Sequence, residues 1–135
     1  MKTIRLLLMI LTVTSSLNGF LYADSFADAE TEYNAVYARL GGLSKKMISI
    51  YEAYAKFEEQ GGGHSAFSRE KELFIQSQVA WHNYCEAQAC YEANTLAVRN
   101  DFKLQYLLAA TKLMKERADY LDTSMMVVED QKKTN

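Results

Sequence analysis

The chain holds two histidines, His64 and His82, and two cysteines, Cys85 and Cys90. Neither histidine belongs to a metal-binding pair or stands in a recognisable arrangement with a nucleophile. Haem attachment needs two cysteines separated by two residues and followed by histidine, which this spacing does not provide. The carboxylate pairs Glu58-Glu59 and Glu70/Glu72 read as solvated helix faces rather than as an acid and base held apart by environment. Gly61-Gly62-Gly63 is followed by His64-Ser65, not by the lysine and hydroxyl of a phosphate-binding loop. The residues therefore predict no catalytic group, no metal and no cofactor; the protein is expected to act by binding.

Cys85 and Cys90 are five positions apart. In a regular helix that spacing sets their Cα atoms about 8.6 Å apart, beyond the roughly 7 Å over which a disulfide can close. The order of preference is two buried thiols or an intermolecular link, then a local bridge that unwinds the helix between Glu86 and Ala89.

The elements that would carry these residues follow from apolar spacing. The chain has no proline, and its five glycines beyond residue 23 fall in two groups, Gly41-Gly42 and Gly61-Gly62-Gly63. Interior glycine costs a helix about 1 kcal/mol relative to alanine, so both groups are expected to be breaks. Ala29, Tyr33, Val36, Tyr37 and Leu40 form one stripe of a first helix over residues 26–40. Leu43, Met47, Ile50, Tyr51, Tyr54 and Phe57 form the stripe of a second, ending at Gly61.

Ser68 ahead of Arg69-Glu70-Lys71-Glu72 reads as an N-cap with carboxylates in the first turn. It opens a third helix reaching about residue 93, with Leu73, Phe74, Gln78, Trp81, Tyr84, Cys85 and Gln88 near one broad face. A bend is expected over residues 94–101. Leu104, Leu107, Leu108, Thr111, Met114, Ala118 and Leu121 then mark a fourth helix from Asp101, and residues 125–135 a frayed or disordered tail. With no sustained alternating pattern, the expectation is an all-α bundle of about four helices spanning residues 24–124, its stripes buried against one another.

The N-terminus has the order of an export signal. Basic Lys2 and Arg5 precede an apolar run from Leu6 to Val13 and a polar segment, with Leu21-Tyr22-Ala23 ahead of the expected cut and Ser25-Phe26-Ala27 as a second site. The run is too short for a membrane span, which needs roughly 20 apolar residues, and no cysteine before Cys85 offers a site for a lipid. Residues 1–23 thus read as a signal peptide, giving a periplasmic or secreted product without a stable membrane anchor. Its loss leaves 13 basic against 17 acidic side chains, a net charge of −4. That balance disfavours nucleic acid as a partner and suits a cationic protein.

Two segments exceed generic helix patterning. In Glu32-Tyr33-Asn34-Ala35-Val36-Tyr37-Ala38-Arg39-Leu40 an acidic residue, an apolar one and asparagine precede a hydrophobic-tyrosine pair and a leucine. In Gln76-Ser77-Gln78-Val79-Ala80-Trp81-His82-Asn83-Tyr84 a glutamine, a tryptophan and a tyrosine recur at threes. Both resemble signatures of the LprI-like lysozyme-inhibitor domain family, through Tyr33, Asn34, Tyr37 and Leu40 in the first and Gln78, Trp81 and Tyr84 in the second. A weaker match, residues 113–121, is similar to a family helix carrying an arginine, here Arg117, with Met114 in place of the usual threonine.

The resemblance spans residues 29–121 and implies a disulfide from a cysteine soon after the second tyrosine to one in the last helix. Here Cys85 stands where the family has arginine, Cys90 falls one residue late, and Ala109 holds the last-helix position. From the residues themselves, Trp81 and Tyr84 are expected to pack on the first helix, and Asn34 and Gln78 to form an inter-helix hydrogen-bond network.

The resemblance implies inhibition of a peptidoglycan-cleaving lysozyme by obstruction of its cleft. Such clefts work through two carboxylates, and the loop offering donors to them is Gly62, Gly63, His64 and Ser65, next to Gly61. The competing expectation is an envelope adaptor or self-associating helical protein, with Tyr51 and Tyr54 as contact surface.

Overall fold

The computed structural model describes the backbone of residues 2–61, 66–96 and 101–133 and the side chains of residues 24–61, 66–96 and 101–127. Three helices account for them: α1 (Lys2–Gln60), α2 (Ala66–Leu96) and α3 (Phe102–Lys133), with no strand among the described residues. The all-helical bundle expected from the spacing is present. The side chains of residues 1–23, which carry the signal-peptide reading, lie outside the described residues. Among those described, no helix is long and apolar enough to cross a membrane.

The expected four helices are three, because α1 runs unbroken through Gly41-Gly42. The reason lies in phase. Val36, Leu40, Leu43 and Met47 follow one another at offsets of 4, 3 and 4, so the buried stripe on either side of the glycines is a single stripe. Both glycines sit on the exposed face, with nothing within 4 Å of the position a Cβ would take, and tertiary packing of the stripe overrides their poor propensity.

Two further boundaries move. α2 opens at Ala66, placing Ser68 inside its first turn rather than at its cap. α3 continues to Lys133 where fraying was expected from residue 125, since Met125 adds one more step to the buried stripe and is 3% exposed. At the other end of α3, the Gln105 amide donates to the Asp101 carbonyl at 3.0 Å, so Asp101 is the residue from which the helix starts.

The stripe of α3 is regular: Leu104, Leu107, Thr111, Met114, Ala118, Leu121 and Met125 are all buried, at alternating offsets of 3 and 4. A mean period of 3.5 is the repeat that keeps one seam facing its partners in a left-handed bundle. The seam is narrower than the stripes read from sequence. Tyr37, Phe57, Leu73, Tyr84 and Leu108, assigned to apolar faces, are exposed.

Cross-helix contacts fix the directions. Arg39 of α1 pairs with Asp119 and Asp122 of α3, and Lys115 of α3 pairs with Glu32 of α1, so these helices run parallel. α2 returns antiparallel between them in sequence: Lys71 pairs with Glu52, Tyr51 meets Phe74 and Tyr54 stacks on Phe67. Val36, Leu40, Cys85, Met114, Ala118 and Leu121 make the central core, with Trp81 and Phe74 packed on it. Ala29 shares a second cluster with Leu104 and Leu107, and Ala89 a third with Ala109 and Ala110. Tyr33 packs against all three clusters.

Candidate functional site

Arg117 is the charged side chain that the core treats most unusually. It lies one position before Ala118, which is fully buried, so the α3 seam draws the side chain inward and leaves the residue half-buried. The guanidinium carbon stands 5.8 Å from the Trp81 ring centre and 5.2 Å from that of Tyr120. Nη2 donates a long hydrogen bond to Ser77 Oγ at 3.4 Å. Nε is buried without an acceptor. Among the described residues, no carboxylate forms an ion pair with it. Burial lowers its pKa from the ordinary arginine range, with Tyr120 opposing.

This head lines a cleft of about 200 Å³ between the three helices. α1 supplies Met47 and Tyr51, α2 supplies Phe74 and Ser77, and α3 supplies Arg117, Tyr120, Leu121 and Ser124. The walls are aromatic and aliphatic, and the polar groups are hydroxyls around one cation. Such a cleft can hold a small group with an apolar body and a negative end.

The residues singled out by sequence are distributed differently from expectation. Leu40 is buried, and Trp81 packs against the central core beside Arg117. Tyr84 does not join it on α1 but is 56% exposed, because a seam of period 3.5 admits position 81 and then 85. Tyr37 is 54% exposed and stacks along Tyr33, ring centres 6.2 Å apart. The network expected of Asn34 and Gln78 does not form: Asn34 is exposed, and Gln78 Nε2 is buried with no partner.

Gly62, Gly63, His64 and Ser65 lie outside the described residues; His82 is exposed on α2. Tyr51 and Tyr54, expected to offer a contact surface, are half-buried between α1 and α2, where Phe74 and Phe67 cover them.

Both cysteines are free thiols on an uninterrupted α2, Cys85 buried in the core and Cys90 partly so. The Cys85 thiol is pushed up by burial and by Glu86. Tyr33 and Tyr106 close around this region, their phenols raised first by desolvation and then by neighbours that include Cys85 and Glu86. Among the described residues no cluster of three or more His, Cys, Asp or Glu side chains could hold a metal ion.

Sequence reasoning singled out Arg117 but not its cleft. The signal available was the spacing Arg117-x-x-Tyr120 beside the seam residues Ala118 and Leu121, which sets a ring against the cation. Ser77 and Tyr51 come from other helices and had no local mark. No family model, curated protein or solved structure matches the chain.

Proposed function

We propose that this protein is an exported, LprI-like inhibitor that blocks a peptidoglycan-cleaving lysozyme by binding it, without turnover. The observation that carries the reading concerns two alanines. The resemblance places its bridging cysteines at position 89, one before Cys90, and at position 109. Ala89 and Ala109, from α2 and α3, lie in one buried cluster with Ala110. The register that the resemblance needs is therefore compatible with the packing of the two helices.

Charge supports the partner. Beyond residue 23 the chain carries a net charge of −4, which favours encounter with a cationic enzyme. The signature tyrosines Tyr37 and Tyr84 are exposed, and aromatic side chains are enriched where proteins meet. In this reading Gly62, Gly63, His64 and Ser65, between α1 and α2, enter the cleft, with His64 and Ser65 as donors to its carboxylates.

The test is a titration of the purified protein into lysozyme acting on a turbid cell-wall suspension. Inhibition is expected to saturate near one equivalent, and the double variant His64→Ala, Ser65→Ala to lose at least tenfold in potency. Undiminished lysis at excess protein rejects the function; full potency of the double variant rejects the loop.

A second reading, the envelope adaptor or self-associating protein, has its own observation. Tyr120, Met126 and Val127 on α3 are all more than half exposed. Stable self-association by light scattering, without an effect on lysozyme, favours it.

A further inference from the structure

We propose that the Arg117 cleft is a binding site for a carboxylate carried on a short apolar body. The inference goes beyond lysozyme inhibition and does not depend on it.

The first argument is charge. Arginine half-removed from water normally holds a carboxylate. Arg39, whose side chain is 45% exposed, holds two, Asp119 and Asp122, whereas Arg117 faces aromatic rings and one serine hydroxyl. The rings offset part of the desolvation of the cation but leave the donors on its outer end without an anion among the described residues. A single guanidinium beside neutral hydroxyls suits one negative charge. A carboxylate also matches the planar fork of donors.

The second argument is shape. Tyr51, Phe74 and Tyr120 wall the cleft, with Met47 and Leu121 beneath; the Ser77 and Ser124 hydroxyls also line it but donate to the Phe74 and Tyr120 carbonyls, which leaves the guanidinium as the donor for an anion. Its volume of about 200 Å³ compares with the roughly 150 Å³ in which an apolar protein cavity holds benzene. A ring or a short branched chain bearing one carboxylate fills such a space, its anionic end on Arg117 and its body against the rings. The ligand is either a free small acid or the end of a protein chain whose last residue is apolar, because the chemistry presented to Arg117 is the same.

Trp81, the chain's sole tryptophan, lies against Arg117 and is a built-in reporter. The experiment titrates the full chain with benzoate, benzamide, inorganic phosphate, and a tripeptide ending in phenylalanine with a free or amidated terminus, following Trp81 fluorescence and calorimetry. Benzoate is expected to saturate the signal and benzamide to bind at least tenfold more weakly. Arg117→Met is expected to abolish binding. Ser124→Phe, which keeps the cation but fills the cleft, is expected to abolish it too, with helical content checked for both.

Saturable binding of the free-terminus tripeptide, but not of its amide or of benzoate, supports the site and assigns it to chain ends. Equal binding of benzoate and benzamide, preference for phosphate, no binding by either carboxylate, or retained affinity in folded Arg117→Met overturns the proposal.

Discussion

At the scale of single residues, the shared cluster of Ala89 and Ala109 connects sequence and fold most directly. Ala89 is fully buried and Ala109 nearly so, in a cluster that Tyr33 and Tyr106 close. Small side chains there let α2 and α3 approach closely, the condition under which paired cysteines can bridge. The variant Ala89→Cys, Ala109→Cys, made with Cys90→Ser to prevent exchange, is expected to form that bridge on mild oxidation. It would close a loop of about 20 residues and stabilise the fold by roughly 3 kcal/mol on the chain-entropy account. Free-thiol titration and thermal melts with and without reductant check it; a pair that stays reduced would place α2 and α3 in another register. Other residue-scale features do not follow from type alone. Thr111 occupies a seam position with its hydroxyl buried and unpartnered, and Gln78 leaves its Nε2 in the same condition. A sequence shows these as polar breaks in apolar stripes, and ordinary hydrogen-bond satisfaction predicts partners that the packing does not supply.

At the scale of elements, the glycines show what was legible and what was not. The four apolar segments were readable from threes and fours, and each lies on a helix. At Gly41-Gly42 propensity predicts a break, but the phase of the flanking residues prevails: Leu40, Leu43 and Met47 are in step. Had the pair marked a turn, the two stripes would have had no reason to stay in register. The buried faces are also narrower than the apolar spacing predicts, because a helix facing two neighbours along a 3.5-residue seam buries fewer positions than one packed on all sides. The cleft was less legible than the bundle, since its walls come from three helices and only the Arg117–Tyr120 spacing is local. Gly41 and Gly42 stand exposed in mid-helix with open space around the position of a Cβ. Gly41→Ala and Gly42→Ala should therefore each stabilise the protein by about 0.5–1 kcal/mol, nearly additively. Denaturant melts of the two single variants and the double variant check this. A loss of stability would mean that α1 bends at the pair in solution.

At the scale of the whole molecule, one consequence of burial is shared by residues from all three helices. Tyr33 and Tyr51 on α1, Cys85 on α2 and Tyr106 on α3 all have pKa values raised, with desolvation the first cause in each. Each is an acid that the fold keeps neutral. In the unfolded chain a thiol ionises near about 8.5 and a phenol near about 10, so above those values the unfolded state has released protons that the folded state retains. Stability therefore falls as pH rises, beginning with Cys85 and continuing through the tyrosines until their folded values are passed. These groups are fully protonated in both states at neutral pH and take nothing from stability there. Thermal midpoints should be level, as far as these groups are concerned, from about pH 7 to 8 and decline above about pH 9. Because Tyr33 touches all three core clusters, replacing it tests whether the decline comes from this shared interior. Tyr33→Phe keeps the ring and removes the ionisable group, and should flatten the part of the decline above about pH 10 relative to the parent. Cys85→Ala should remove the earlier part, after allowance for a lower midpoint at every pH from the cavity it leaves. If both variants decline in parallel with the parent across the alkaline range, titration of the buried acids is not what destabilises the bundle, and loss of the lysine charges that offset its 17 acidic side chains becomes the better account.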